Sequence, residues 1–543
     1  MGGIYQMFVK KENYQNRRQF MKTGGSAALA ALFTSFLHCG QKQQLNVVFI
    51  LADDLGWADV GCYGSTFYET PNIDRLAEQG MRFTDAYAAC PVCSPTRAAV
   101  LTGKYPARLH LTDFLPGRRN MTSQPLLHPE IEPQLPFDEI TLAEVLKSYG
   151  YATASIGKWH LGDKGSYPED HGFDMNIAGY EKGFPAHYFY PYESDKPFNP
   201  KVKNLQGGKP GEYLTDRLTD EAVQFIRMHQ TEPFFLYLSH YAVHDPLQAK
   251  PELVKKYKAK LAHTALPDRR PFILEGNPAS EHPQFYKRGS LQRLIGNPRY
   301  DGHGYLPDRL TKIKQIQDNP VFAAMIESLD DSVGAVMRVL DDLDLAGNTL
   351  LIFTSDNGGQ SSPDTISTAN LPLRGAKGWL YEGGVREPLI IRWLGHVKPG
   401  SESSEPVIST DFYPTILQAA GLASDKIQQS DGKSLLPVFR GRSLERDAVF
   451  WHWPHYSNHG QQSPAGAVRM GDYKLIEYYE NGAVQLFNLK EDIGEQYNLA
   501  EQQPETADKL RSRLHAWLSR VDADMPEPNP DYEKTSDNVF ERW

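Results

Sequence analysis

Cysteine is scarce. Four in 543 residues (Cys39, Cys62, Cys90 and Cys93) exclude a disulfide framework and leave the fold to a hydrophobic core. Basic charge is not in excess either. Lys and Arg number 57 against 67 Asp and Glu, a formal net charge of −10, and the signs are mixed along the chain. There is no positive field of the kind that nucleic-acid binding needs. Internal repeats are absent, and beyond the first 44 residues no apolar run is long enough to cross a bilayer. The length exceeds one small domain and leaves room for a large core with a smaller companion.

What is present begins with an export pattern. "NRRQFMK" sets Arg17 and Arg18 ahead of the short apolar run "GGSAALAALFTSFL", as a twin-arginine signal does. Residues 1–44 are therefore expected to direct export, to the periplasm or cell surface of a Gram-negative bacterium. Cys39 follows "SFLH", where His38 replaces the small residue that lipidation prefers, so a lipid anchor stays open as the one route to a membrane.

The body opens on "LNVVFILADDLG", a β-branched run of the sort buried on both faces of a parallel sheet, which delivers Asp53 and Asp54 to the strand's carboxyl end. Open α/β sheets place their ligands there. "NTLLIFTSDNGG" repeats the design with Asp356 and Asn357, and "PFFLYLSHYAVHDP" ends on His240, His244 and Asp245. Leu329, Val333, Val336 and Leu340 recur at helical spacing before the second strand. The fold class expected is an α/β sandwich with a mostly parallel central sheet spanning residues 45–431. An aperiodic insertion is expected at about 262–319. From 432 to 543 the character changes to a smaller α+β subdomain and tail: "GAVRMGDYKLIEYY" and "AVQLFNL" flank Asn481-Gly482, a hairpin signal. A last helix there carries Leu510, Leu514, Trp517, Leu518 and Val521 on one face.

The stretch "CPVCSPTR" (Cys90 to Arg97) has C-x-x-C spacing. A redox pair would open a helix in a small thioredoxin-like unit, and a structural zinc site would need a second Cys or His pair. Neither accompanies it. What remains is Cys93 in a defined setting, Cys93-Ser94-Pro95-Thr96-Arg97, followed by Thr102-Gly103.

That setting resembles the type I sulfatases of the alkaline-phosphatase-like superfamily, whose signature is C-x-P-x-R with a T-G following. Cys93, Pro95, Arg97, Thr102 and Gly103 match it, and the resemblance runs from about Leu45 to Leu499. It implies that Cys93 is oxidised to formylglycine by a formylglycine-generating maturation enzyme, and that the hydrated aldehyde is the nucleophile. It implies Asp53, Asp54, Asp356, Asn357 and position 93 as ligands of a divalent metal. An all-oxygen set suits a hard cation, calcium before magnesium. "GKWHLG" supplies Lys158 and His160, "AVHDP" supplies His244 and "LRGAKGWLYEGG" supplies Lys377. By the resemblance Arg97 and Lys158 support the nucleophile, Lys158 and Lys377 grip sulfate, His244 protonates the departing oxygen and His160 serves as base at position 93.

The expected substrate is a sulfated oligo- or polysaccharide, algal or glycosaminoglycan. "GFPAHYFYPY" (Phe184 to Tyr192) could stack on sugars, "WHWPHYSNHG" brings His452, His455 and His459, and the insertion adds Arg269, Arg270, Lys287, Arg288, Arg293 and Arg299. Two other readings stay open: a phosphate or phosphonate monoester hydrolase of the same superfamily, and a non-catalytic surface glycan-binding protein.

Overall fold

The computed structural model describes residues 44–276, 305–306, 310–362, 366–422, 428–457, 459 and 462–533. Arg17, Arg18 and Cys39 of the export pattern lie outside the described residues, as do Lys287, Arg288, Arg293 and Arg299 of the insertion.

Strands β1 (Asn46–Ala52), β2 (Met81–Tyr87), β3 (Leu126–Leu127), β4 (Ala152–Gly157), β5 (Met175–Ile177) and β6 (Phe234–Ser239) precede the insertion. Within it lie β7 (Phe272–Gly276), β8 (Tyr305–Leu306) and β9 (Leu310–Lys314). Then come β10 (Thr349–Ser355), β11 (Arg386–Arg392), β12 (Ser401–Ser403) and β13 (Val407–Ile408). The C-terminal part holds β14 (Val449–Trp453), β15 (Ala465–Met470), β16 (Tyr473–Tyr478), β17 (Val484–Asn488) and β18 (Glu527–Pro528).

The main sheet runs β12-β2-β11-β10-β1-β6-β4-β5, with β13 also on β2. All its pairings are parallel except those of β11. β1 shows why its sequence has no polar alternation. Val48, Ile50 and Ala52 enter one core and Val47, Phe49 and Leu51 enter the other, so both faces are covered. The first face carries the helix Pro320–Asp342, started by Asn319, whose side chain accepts from the backbone of Val321 and Phe322. Helices Cys93–Thr102, Leu142–Ser148 and Phe412–Ala419 contribute to the second core.

Because β1, β4, β6 and β10 are parallel, their carboxyl ends share one edge. Asp53, Lys158, His240 and Asp356 follow these four strands directly, so the sheet brings the expected carboxylates and Lys158 to one edge.

The C-terminal part contains an antiparallel sheet, β14-β15-β16-β17. Asn481-Gly482 joins β16 to β17 as the sequence suggests, with Gly482 at φ 68°. "GAVRMGDYKLIEYY" turns out to be a hairpin by itself. Gly471 at φ 57° lets the chain reverse between Met470 and Tyr473, which pair. Helix Pro504–Arg520 lays Leu510, Leu514, Trp517 and Leu518 into a core that also holds Tyr87, Cys90, Val92, Ala99 and Trp379. The antiparallel sheet thus shares its interior with the segment leading to Cys93.

The region read as an aperiodic insertion contains structure. β7, β9 and β8 form a small antiparallel sheet, tied down by Glu275, which accepts from Arg374 at 2.6 Å. Strands this short carry too few alternations to register as a period. Among the described residues no helix is long and apolar enough to cross a membrane.

Candidate active site

Cys93 is the first residue of the helix Cys93–Thr102, at the end where the helix dipole is positive. Its sulfur lies 3.3 Å from Nδ1 of His160, and Nε2 of that ring lies 2.7 Å from the Leu115 carbonyl. A carbonyl only accepts, so Nε2 carries the ring proton and Nδ1 faces Cys93 with a free lone pair. Burial, together with the nearby Lys158 charge, holds the His160 pKa well below its ordinary value. The ring is therefore a neutral base. Its backbone is in the left-handed region at φ 56°, and Asp54 shares that conformation at φ 62°. Such strain in non-glycine residues concentrates at functional positions. Cys90 points elsewhere: its thiol faces the Thr112 carbonyl at 3.8 Å, and burial pushes its pKa up.

Three carboxylates and three cations meet beside the sulfur. Lys158 Nζ contacts Asp53 at 2.8 Å and Lys377 Nζ contacts Asp54 at 2.8 Å. Arg97 sits one helical turn after Cys93, on the same face, and its Nε donates to Asp356 at 2.8 Å. It also donates to the Lys158 carbonyl at 3.2 Å and to the Ser239 hydroxyl. With those bonds made, Arg97 braces Asp356 and the Lys158 backbone. Asn357 Nδ2 and Gln360 Nε2 both donate to Asp54, at 2.7 and 3.0 Å.

His244 stands on the Lys377 side. Asp245 accepts at its Nδ1, 2.7 Å away, which turns Nε2 toward Lys377 at 3.2 Å and Asp54 at 3.5 Å. Burial and the Lys377 charge oppose protonation of this ring, but Asp54, Asp245 and Asp53 outweigh them and raise its pKa to about 9. The two neighbours of Nε2 correspond to two proton states: bare, it accepts from Lys377; protonated, it is drawn to Asp54. His240, its competitor in sequence, is fully buried and bonded to Ser332 at 2.9 Å, a structural role.

Residues 45–422 match the sulfatase family, and residues 376–524 match the family described as N-sulphoglucosamine sulphohydrolase, C-terminal. The chain belongs to the sulfatase family. It is a sulfuric ester hydrolase of the alkaline-phosphatase-like superfamily. Among curated relatives, a sulfatase of Formosa agariphila is 34% identical over 89% of this chain and 90% of its own length. The N-acetylgalactosamine-6-sulfatase of Sus scrofa is 31% identical over 87% of this chain and 85% of its own. Among solved structures, Ps i-CgsB in complex with k-i-k-neocarrahexaose aligns with TM-score 0.65 and 28% identity, covering 92% of this chain and 96% of that one.

The residues of this sulfatase fit a divalent cation. Ligand atoms of Asp53, Asp54 and His244 lie within 4.8 Å of one another. Asn357 Oδ1 is buried with no hydrogen-bond partner, an acceptor awaiting a positive charge. Burial, reinforced by Asp356 and Asp54, pushes the Asp53 pKa up against the pull of Lys158. A carboxyl raised by crowded like charges is one that a cation would relieve. The donors are carboxylate and amide oxygens, with an imidazole at the margin, as hard cations prefer.

All the sequence-predicted residues converge: Asp53, Asp54, Cys93, Arg97, Lys158, His160, His244, Asp356, Asn357 and Lys377 are each buried at this one edge. Gln360 and the Leu115 carbonyl escaped the sequence reading, which places Asp245 at the strand's exit without a role. Only Gln360 left a signal, a polar residue just after Asp356-Asn357-Gly358-Gly359. The aromatic stretch divides: Tyr188 is buried, donating to the Tyr241 and His244 carbonyls, whereas Phe184 reaches His244. His452 and His455 are buried, bonded to Tyr479 and to Thr112 respectively. Arg269 and Arg270 are exposed.

Proposed function

We propose that this enzyme releases sulfate from sulfated carbohydrates, using a formylglycine made from Cys93 and a divalent cation, calcium by preference. The observation that carries the reading is the Cys93–His160 contact at 3.3 Å beside the carboxylates of Asp53, Asp54 and Asp356 and the Asn357 amide. The bound cation and the hydrated aldehyde together supply a sulfate-orienting charge and an activated hydroxyl nucleophile.

The chain's own residues do the rest. Arg97, Lys158 and Lys377 already match the charge of Asp53, Asp54 and Asp356. A dication therefore leaves a positive surplus, and the ligand it calls for is an anion such as a sulfate ester. Lys158 and Lys377 provide donors where charge gathers on the transferred group. His244, oriented by Asp245, holds a proton on Nε2 for the departing alcohol oxygen. On the other side His160 would take a hydroxyl proton at position 93 on Nδ1 while the bond from that carbon to the sulfate-bearing oxygen breaks, so that sulfate leaves and the aldehyde is regenerated. An unmodified serine or cysteine has no second hydroxyl for this step, so maturation is required for turnover.

A sugar substrate is supported by two similar proteins, one named for N-acetylgalactosamine 6-sulfate and one solved with a neocarrahexaose. Both ligands contain galactose-configured rings, the class favoured here. The twin-arginine pattern supports export. Peptide mass spectrometry across position 93 tests the reading, paired with sulfate release from carrageenan oligosaccharides, chondroitin 6-sulfate, glucosamine 6-sulfate and 4-nitrophenyl sulfate. Aldehyde at 93 with sulfate released from one glycan is expected. A persistent thiol in a host that converts another sulfatase, or preference for aryl phosphate, overturns it.

A further inference from the structure

The segment Lys182–Phe184 lies across both site histidines. Gly183 has no room for a side chain: a Cβ there would come within 2.4 Å of His160 Cε1 and 2.6 Å of its Nδ1. The next residue, Phe184, sets its ring almost parallel to His244, with centroids 6.0 Å apart and 15° between planes. Phe198 meets Phe184 edge to face at 6.0 Å and 67°, and it is 56% exposed.

This pair is held on a rigid frame. Asn199, fully buried, donates Nδ2 to the Phe184 carbonyl at 2.9 Å and accepts from the Tyr180 hydroxyl at 3.1 Å. Its own carbonyl accepts from Ser194 at 2.8 Å. One buried amide thus ties the loop bearing Phe184 to the loop bearing Phe198. The Lys196 amine stands 5.8 Å from the Phe198 ring, a cation at the rim of the aromatic pair.

We propose that Phe184 and Phe198 form the stacking platform for the sugar ring of the leaving group, making them specificity-determining residues. The inference rests on the carbohydrate reading above. Its logic is positional. His244 protonates the departing oxygen, so the ring bearing that oxygen lies beyond His244. A pyranose presents a C–H face that packs on an aromatic surface while its hydroxyls stay in water. Preorganised aromatic area binds at little entropic cost, and the Asn199 frame supplies that preorganisation. Lys196 would meet a further sulfate on a polyanionic chain.

The test compares Phe198→Ala with Phe198→Trp on the best saccharide of the panel and on 4-nitrophenyl sulfate. Calorimetry with carrageenan hexaose on Cys93→Ala protein reads binding without turnover. Alanine should raise KM for the saccharide about tenfold, weaken hexaose binding similarly, and be rescued by tryptophan. An unchanged saccharide KM with unchanged hexaose binding, or a loss that tryptophan does not restore, overturns the platform and leaves the carbohydrate reading standing. Wild-type cleavage of 4-nitrophenyl sulfate alone, with no saccharide bound or cleaved, overturns both.

Discussion

Lys474, near the start of β16, places its amine 2.8 Å from Glu382, and both side chains are fully buried. Glu495 contacts the same amine at 3.2 Å, and Arg386 contacts Glu382 at 3.1 Å. The antiparallel sheet is therefore joined to the loop after Lys377 by charge as well as by the shared apolar core.

Removing one member of a buried ion pair leaves the partner uncompensated, a loss of about 3–5 kcal/mol. Lys474→Met is expected to lower the melting temperature strongly while unfolding stays a single transition, because the two parts share one interior. Two separated transitions would show that the C-terminal sheet is an independent unit.

The His160 tautomer gives a second expectation. His160→Ala removes the base facing position 93 and should reduce kcat by about 10²–10⁴. Mass spectrometry on the same sample should still show the aldehyde, which separates lost chemistry from lost maturation. A variant with near-normal kcat would take His160 out of the reaction.

Metal binding is expected to show in stability, independent of turnover. A ligand that binds only the folded state at about a hundred times its Kd adds about 2.7 kcal/mol. Calcium should raise the melting temperature of the wild-type chain, and Asp54→Asn should shrink that rise by removing a carboxylate from the set. Equal rises in both proteins would place the cation elsewhere.

Much of this was legible because two-sided burial writes itself plainly. β1 is apolar from Val47 to Ala52 and β10 from Leu350 to Phe353, and Asp53 and Asp356 directly follow the two strands. The Cys93 motif and the Lys158, His160, His244 and Lys377 positions were found through the resemblance of their short motifs to those of the sulfatase family. What stayed hidden depends on contacts distant in sequence. Lys474 looks like an outward polar residue in an alternating strand until Glu382 is found 92 positions away. Phe184, one of several aromatics in a stretch the sequence offers for sugar stacking, is singled out only by its place beside His244, and the Leu115 carbonyl that fixes the His160 tautomer belongs to the backbone, which has no side-chain signature.

The pH dependence of stability carries a sign that can be isolated at His240. Burial alone lowers its pKa to about 3, far under the ordinary 6.5. Its contribution is therefore complete above pH 6.5 and is lost as pH falls toward 3, because the unfolded chain binds the proton first. The whole-protein curve will hide this. Burial raises Asp59 to about 7 and Asp330 to about 6, and a raised carboxyl gains stability over part of the same descent. The difference between wild type and His240→Gln cancels those contributions. At pH 7.5 the variant should be less stable, having lost the Ser332 bond in a packed site. By pH 5 the wild type has given up about 2 kcal/mol at this ring, so the deficit should shrink by that amount or reverse. Urea unfolding of the two proteins at pH 7.5, 6 and 5 measures it. A constant deficit would mean that His240 binds its proton as readily in the folded chain as in the unfolded one, so that burial does not depress its pKa.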